Sequence, residues 1–206
     1  MRKNNEAKKV EMAKILHKMD ALKFGLFKLT SGKVSPYYVD LRIIPSLPNA
    51  FRQICDFYAD AITSQIGLNN FDRIAGVPIA GIPFASQIAY NLKKPFLYVR
   101  KGVRLHGRQR RVEGILVSGD RVLIVDDLVT TGLTLKRAAE AVTAEGGIVK
   151  EVVALLDREE GGREKLAKHE IQLHALLKIS EVAHTLYDIG AIDEENLKTI
   201  RKQIRK

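Results

Sequence analysis

Tryptophan is absent from this sequence, and cysteine occurs once, as Cys55. A single cysteine cannot form an internal disulfide, so we expect a reducing compartment, the cytoplasm. Because Cys55 falls within an apolar-periodic helix, we predict a buried structural thiol. No apolar run approaches the ~20 residues of a membrane span, and we expect no membrane partner. The chain also lacks a GxxxxGK[ST] stretch, which excludes a P-loop nucleotide site.

Acidic residues are fewer than basic ones, 24 against 34, which gives a net charge of +10. The excess is confined to residues 1–28 and 198–206, whereas residues 29–197 are balanced. Both basic segments read as terminal helices rather than as one central stripe. We therefore interpret them as solvated helix faces and predict that the protein has no nucleic-acid partner.

The length of 206 residues suits one domain, 1–206, and apolar periodicity predicts an α/β fold. A mainly parallel central sheet should be flanked by helices, with a small N-terminal hood formed mainly by residues 20–45. The hood should include a short strand over Tyr38–Arg42. Predicted helices cover 5–19, 48–66, 82–92, 133–145, 180–189 and 193–205. Predicted strands cover 73–77, 96–99, 121–126, 148–156 and 172–178.

The stretch from Arg121 to Thr134 carries the strongest functional signal. Val122–Val125 is an uninterrupted apolar run, typical of a strand buried on both faces of a parallel sheet. Asp126 and Asp127 follow at the predicted carboxyl end of that strand. A turn of threonines and glycine then opens a helix, offering free N–H groups and the positive end of the helix dipole to a phosphate. The pattern favours a phosphorylated sugar, and an ordinary turn with solvated aspartates is the alternative.

Residues 100–111, RKGVRLHGRQRR, combine six Lys or Arg with one His and two Gly. The segment has no hydrophobic periodicity, which predicts a mobile loop. A charge run of this kind usually faces solvent. Beside a phosphate site, however, it could close on a diphosphate leaving group and stabilise its developing charge. His106 could then supply a proton or a hydrogen bond.

Two further segments end predicted strands. Gly76–Gly81 could form a second anion-binding turn, for diphosphate, or a plain strand–helix connector. Arg158 follows another apolar strand, which places it at the sheet edge where ligands collect in open α/β folds. There it could bind a carboxylate or an acidic heterocycle, or form an ion pair with Asp157 or Glu160.

Four segments together resemble the orotate phosphoribosyltransferases, a branch of the type I phosphoribosyltransferase family, over about residues 20–180. FKLTSGKVSPYYVDLR resembles the family's N-terminal signature, RKGVRLHG its catalytic loop, VLIVDDLVTTGLT its site for 5-phosphoribosyl 1-diphosphate (PRPP), and LLDREEGG its L-D-R segment. The resemblance implies transfer of the phosphoribosyl group from PRPP to orotate, giving orotidine 5′-monophosphate and diphosphate in de novo pyrimidine synthesis.

The resemblance also implies roles for individual residues. The catalytic set would be Lys101, Arg104, His106, Asp126 and Asp127. PRPP would be bound by these five together with Arg100, Leu128, Val129, Thr130, Thr131, Gly132, Leu133 and Thr134. Orotate would contact Thr130, Arg158, Tyr37 and Tyr38. We expect Mg²⁺ as cofactor, held mainly through PRPP and water rather than by direct protein ligands. We also expect a homodimer in which part of the loop set reaches the partner's site.

This sequence departs from the family pattern at two positions. Thr30 stands where many members have Lys, which puts a contact from that Lys to the diphosphate in doubt; Lys33 follows instead. Arg104 replaces the second Lys of the loop, changing a point cation into a planar fork. Two alternatives remain open: a purine phosphoribosyltransferase, which would not need Arg158, and a transcription regulator with this fold, which would have no use for an intact loop.

Overall fold

In the computed structural model, which describes residues 2–28, 34–102 and 110–204, a six-stranded sheet has the order β5-β4-β3-β6-β7-β8. The strands are β3 (Arg73–Gly76), β4 (Phe96–Val99), β5 (Val112–Glu113), β6 (Val122–Val129), β7 (Glu151–Asp157) and β8 (Gln172–Lys178). All neighbouring pairs are parallel except β4 and β5. This confirms the predicted α/β class with a mainly parallel sheet.

Seven α-helices belong to the described residues. They are α1 (Arg2–Lys18), α2 (Pro48–Ala61), α3 (Gly81–Asn91), α4 (Leu133–Ala144), α5 (Gly162–Ala167), α6 (Ile179–Asp188) and α7 (Glu194–Ile204). Alternating residues of β6 divide the core: Leu123 and Val125 pack with α1, α2, α3 and α6, whereas Val122 and Ile124 pack with α4 and α5. Side chains on both faces of the strand are therefore buried, as the apolar run predicted.

The hood consists of two antiparallel strands, β1 (Leu22–Lys28) and β2 (Val34–Val39), followed by a 3₁₀ helix at Leu41–Ser46. Its strand comes earlier than predicted, because β2 ends before Asp40, whose side chain accepts the N–H of Arg42 and begins the 3₁₀ turn. Leu22, Tyr37 and Val39 are buried, which fixes the hood to the main core. Residues 29–33 lie outside the described residues, and with them Thr30 and Lys33.

Several predicted boundaries were wrong. The predicted helix 48–66 changes into a π-helical turn at Ile62–Ile66, and β7 begins at Glu151 because residue 148 makes only an isolated bridge to Arg121. The sequence reading missed the first hood strand, the short strand β5 and the six-residue helix α5. The two residues of β5 and the six of α5 are too few to show a clear period.

The remaining expectations concern the surface and the single thiol. Cys55 is fully buried, and burial raises the pKa of its thiol to about 12, in agreement with a structural role. On α1, Lys9 contacts both carboxylate oxygens of Glu181 on α6, at 3.0 and 3.1 Å. Within the described ranges, no helix has the length and apolar character needed to cross a membrane.

Candidate active site

Asp126 and Asp127 lie inside β6, whereas the sequence reading placed them at the end of the strand. The strand continues to Val129 because β7 supplies a partner as far as Asp157. On its other side, β3 pairs with β6 only up to Val125. From Asp126 onward β6 therefore has one free edge, at the carboxyl end of the sheet where ligands of such folds bind.

The two carboxyl groups are buried next to each other, 7% and 8% exposed. Oδ1 of Asp126 accepts the main-chain N–H of Asp127 at 3.0 Å, and the carbonyl of Asp126 accepts the hydroxyl of the fully buried Tyr58 at 2.7 Å. Burial, followed by the charge of Asp127, raises the pKa of Asp126 well above its usual range. Burial also raises the pKa of Asp127, against the hydrogen bonds that lower it. The pair can therefore hold a proton more easily than exposed aspartates do.

The turn before α3 closes on this pair. A Cβ atom at Gly81 would lie 2.7 Å from Oδ1 of Asp126 and 2.8 Å from the carbonyl of Val125. No side chain fits there, so the requirement for glycine at the start of α3 comes from packing against Asp126. The turn of Gly76–Gly81, considered above as a second anion site, thus lies directly beside the carboxylate pair.

Residues 130–134 form the predicted phosphate cradle at the start of α4. Gly132 precedes the helix with φ +72°, and no side chain caps the helix N-terminus. The first N–H groups of α4 are therefore available to an anion. Thr131 and Thr134 are exposed, whereas Val129 is buried in the core and Leu128 packs against it. Because Val129 is buried, only its main chain can contact a ligand.

Two glycines bring the cradle against the turn that starts α5. A Cβ at Gly132 would lie 2.9 Å from the carbonyl of Gly162, and a Cβ at Gly162 would lie 2.7 Å from the carbonyl of Thr130 and 2.4 Å from Cγ1 of Val129. The two backbones can approach this closely only because both residues lack side chains. The sequence reading noted Gly132 but not Gly162, since their contact joins segments thirty residues apart.

Arg158 lies at the same sheet edge, under the hood. Its main-chain N–H donates to Val129 at 2.9 Å, and its guanidinium lies 4.7 Å from the centre of the Tyr37 ring. Nε donates to the hydroxyl of Tyr37 at 3.2 Å, and Nη2 to Oγ of Ser35 at 3.4 Å. Nη2 also lies 3.0 Å from Oε1 of Glu160, so of the two ion pairs considered from sequence the one with Glu160 forms.

A cavity of about 1140 Å³ opens beside the cradle, toward β8. Thr131, Glu160 and Gly162 line it together with Pro36 of the hood and Lys202 of α7. The cavity does not reach the aspartate pair. One side of Glu160 faces the cavity, whereas Arg158 is almost completely buried and does not line the cavity.

The comparisons with known proteins agree with this geometry. Residues 46–181 match the model of the phosphoribosyl transferase domain. The orotate phosphoribosyltransferase of Cenarchaeum symbiosum is 40% identical over 190 residues, which are 92% of this chain and 95% of that protein. The chain belongs to the orotate phosphoribosyltransferase family.

Solved structures extend the agreement to the fold. The orotate phosphoribosyltransferase from Aeropyrum pernix superposes with a TM-score of 0.76 at 31% identity, covering 88% of this chain and 99% of that one. The Mycobacterium tuberculosis enzyme in complex with PRPP gives a TM-score of 0.69 at 25% identity, covering 85% and 98%. The type I phosphoribosyltransferase fold predicted from the sequence is therefore confirmed.

Of the two hood tyrosines predicted to contact orotate, only one lies against Arg158. Tyr38 points away from Arg158: its ring is partly exposed, its hydroxyl accepts from Arg42 at 3.0 Å, and its ring pairs with Phe27. The structure thus brings Tyr37, but not the Tyr38 side chain, to Arg158. Ser35 is the contact that the sequence reading missed. Its only sequence signal was its place in the S-P-Y segment of the hood signature.

Strands β4 and β5 flank residues 100–111, the segment predicted to be the catalytic loop. The main-chain N–H of Arg100 donates to Arg111 at 2.7 Å, and Nη1 of Arg100 lies 2.9 Å from a carboxylate oxygen of Glu113. Lys101 follows this anchor and is exposed. Arg104 and His106 lie outside the described residues, so their predicted contacts with diphosphate stay predictions. Within the described ranges, no three His, Cys, Asp or Glu side chains are grouped to hold a metal ion.

Proposed function

We propose that this protein transfers the 5-phosphoribosyl group from PRPP to orotate, producing orotidine 5′-monophosphate and diphosphate for pyrimidine synthesis. The observation that carries the proposal is the meeting, at one sheet edge, of a buried carboxylate pair, an uncapped helix start and a hood-bound arginine. These three parts suit the ribose hydroxyls, the 5′-phosphate and the acidic pyrimidine, respectively. The family membership supplies the substrates, which are named for its relatives.

Positioning and electrostatics can account for the chemistry. Orotate is anionic at neutral pH, so N1 needs little help from a protein base. As the bond from C1 of the ribose to diphosphate lengthens, positive charge develops on the ribose. Asp126 and Asp127, buried in low-dielectric surroundings, would hold the ribose hydroxyls and stabilise that charge. The cradle would hold the phosphate fixed while orotate attacks.

An absorbance assay of orotate consumption in the presence of PRPP and Mg²⁺ tests this function. Asp127→Asn serves as the control, because the amide has nearly the same shape as the carboxylate and removes only its charge. We expect turnover of orotate by the unsubstituted protein and little by the variant. Turnover of hypoxanthine or adenine instead of orotate would overturn the proposal in favour of a purine substrate.

We further propose Mg²⁺ as the cofactor. Mg²⁺ usually keeps several waters and is bound largely through substrate phosphates, which fits an ion carried by PRPP at the phosphate cradle. The ion would be held mainly through PRPP and water, while Asp126 and Asp127 beside it would hold the ribose hydroxyls. Calorimetric titration of PRPP with and without Mg²⁺ tests this apart from turnover: affinity for PRPP should rise with the metal, and equal affinity would contradict the proposal.

We also propose a cytoplasmic homodimer with shared active sites. Two large apolar side chains are strongly exposed: Tyr90, near the end of α3, is 82% exposed, and Ile115, just after the edge strand β5, is 76% exposed. A second copy on this surface would bring its exposed Lys101 toward the neighbouring site. Cys55, the only thiol in the chain, is buried and suits a reducing compartment.

Mixing Lys101→Ala subunits with Asp127→Asn subunits tests the shared site. If Lys101 acts on the neighbouring chain, each hybrid dimer has one site with both lesions and one with neither, so activity reappears on subunit exchange. If Lys101 acts within its own chain, every hybrid site has one lesion. Continued inactivity after hybrid formation has been verified by mass would overturn the shared site.

A further inference from the structure

Arg158 is a buried cation, 7% exposed, that carries more hydrogen-bond donors than its contacts with the described residues use. Its guanidinium has five N–H donors. Nε and Nη2 donate to Tyr37 and Ser35 at 3.2 and 3.4 Å, and among the described residues no hydrogen bond to Nη1 is formed. Among the described residues, one edge of the fork therefore has no partner, while the position of the group is fixed by Tyr37 and Ser35.

Glu160 supplies the negative charge that a buried guanidinium requires, but its contact is incomplete. Oε1 lies 3.0 Å from Nη2, yet this oxygen is buried and in no well-aligned hydrogen bond within the described chain. The side chain is 22% exposed and lines the cavity beside the cradle. The contact is thus mainly an attraction between opposite charges, and the adjoining cavity gives the Glu160 carboxylate space to move away from Arg158.

We propose that Glu160 is an internal competitor for the anionic substrate, occupying Arg158 in the unliganded protein and yielding it when orotate binds. Glu160 is in this sense a specificity-determining residue that acts through Arg158. The inference rests on the proposed function, because orotate is the anion concerned.

Competition from Glu160 should lower the affinity for orotate. A carboxylate that holds Nη2 repels a second anion and lowers the fraction of molecules whose Arg158 can receive one. Apparent affinity falls with that fraction. Removing the charge of Glu160 should therefore strengthen orotate binding. A residue that merely supported the fold around Arg158 would weaken orotate binding when it was changed.

The test compares Glu160→Gln, which has nearly the same shape without the charge, with the unsubstituted protein. We expect a dissociation constant for orotate, measured by calorimetry, that is roughly three- to tenfold lower in the variant. The KM for orotate at saturating PRPP should fall in parallel, and the KM for PRPP should not change. Glu160→Asp, which keeps the charge but shortens the reach by one methylene, should give a smaller gain and provides a second variant should the amide fold poorly.

Two controls separate competition from general electrostatics. Glu164→Gln removes the same charge from an exposed residue that lines the same cavity, and it should leave orotate affinity unchanged. In an Arg158→Ala background, Glu160→Gln should give no gain, since the two changes act on one interaction. A gain that persists without Arg158, or weaker or unchanged orotate binding in both Glu160 variants, would overturn the inference alone. If the unsubstituted protein binds no orotate in the presence of PRPP analogues or diphosphate, the proposed function fails as well.

Discussion

The main-chain N–H of Asp127 donates to Oδ1 of Asp126 across 3.0 Å, inside a strand that is buried on both faces. Two carboxyl groups at such a place oppose folding when both are ionised, because burial and their mutual repulsion disfavour the charged form. No cation among the described residues forms an ion pair with either of them within 4.0 Å. This unfavourable arrangement is what a binding site for sugar hydroxyls or a metal-bearing substrate requires, and it leads to a pH prediction.

Stability of the ligand-free protein should fall as pH rises above the ordinary aspartate pKa of about 3.8. The folded-state pKa of Asp126 is raised, so the native state binds more protons than the unfolded state between 3.8 and the raised value. The stabilisation is present at low pH and is lost as pH rises through the folded-state pKa. Urea unfolding of Asp126→Asn should show a smaller decline between pH 4 and 8 and higher stability than the unsubstituted protein at pH 7.

The exposed Asp56 provides the matched control for that experiment. Asp56→Asn removes one carboxyl without changing the buried pair, so its pH profile should follow that of the unsubstituted protein. If the stability of Asp126→Asn changed with pH in the same way as that of Asp56→Asn and of the unsubstituted protein, ionisation of the buried pair would not destabilise the fold. The unfavourable burial argued above would then be wrong.

Gly132 should be required both for phosphate binding and for stability. Gly132→Ala puts a Cβ at φ +72°, 2.9 Å from the carbonyl of Gly162, whereas Gly190→Ala meets the same constraint at φ +71° with open space around it. Both variants should lose about 1 kcal/mol for the left-handed backbone. Gly132→Ala should lose more than this, because its Cβ also meets the carbonyl of Gly162. Only Gly132→Ala should bind PRPP at least roughly tenfold more weakly, about 1.4 kcal/mol. Equal PRPP affinities in the two variants, measured by calorimetry, would contradict the role of the Gly132–Gly162 contact.

The sequence predicted those parts of the site that depend on nearby residues. The apolar run of β6 and the small turn before α4 are local signals, and both elements form where they were expected. The end of β6 is not local: it is decided by β7, which pairs with it as far as Val129 and so places both aspartates inside the strand. The apolar pattern of one segment therefore predicts that a strand exists, but where the strand ends depends on its pairing with a neighbouring strand.

The contacts of Ser35 and Gly162 could not be predicted for the same reason. Ser35 is fully buried, enclosed by the hood and by Arg158, which lies over 120 positions later in the chain. Nothing in a short polar residue distinguishes this position from an exposed turn. Gly162 lies in a glycine pair that reads as an ordinary turn, and only the folded backbone shows that Val129 and Thr130 exclude a side chain there.

Arg158 should determine affinity for orotate and have little effect on PRPP. Its guanidinium is held by Tyr37 and Ser35 of the hood rather than by side chains of the phosphate cradle. A charge-assisted hydrogen bond contributes roughly 1.5–3 kcal/mol, so Arg158→Ala should raise the KM for orotate at least roughly tenfold. Arg158→Lys keeps the charge but loses the fork and should recover only part of the affinity. Equal increases in both KM values would show that Arg158 has a structural role.

Tyr37 should link hood stability to orotate binding, and its neighbour offers a matched control. Both hydroxyls accept a hydrogen bond from an arginine, Tyr37 from the buried Arg158 and Tyr38 from the exposed Arg42. Burial raises the pKa of Tyr37, so its hydroxyl stays protonated and can only accept through oxygen lone pairs or donate its own proton. Tyr37→Phe leaves a buried N–H of Arg158 without a partner, which costs about 1.5–3 kcal/mol of unfolding free energy.

The same substitution should raise the KM for orotate severalfold, because Arg158 loses one of the contacts that orient it. The KM for PRPP should stay constant. Tyr38→Phe breaks a solvent-exposed hydrogen bond and should change stability by less than about 0.5 kcal/mol and neither KM. Urea unfolding and initial-rate kinetics of both variants provide the comparison. If Tyr37→Phe were as stable and as active as Tyr38→Phe, the hydroxyl would have no part in holding Arg158, and orientation would have to come from the ring face and Ser35 alone.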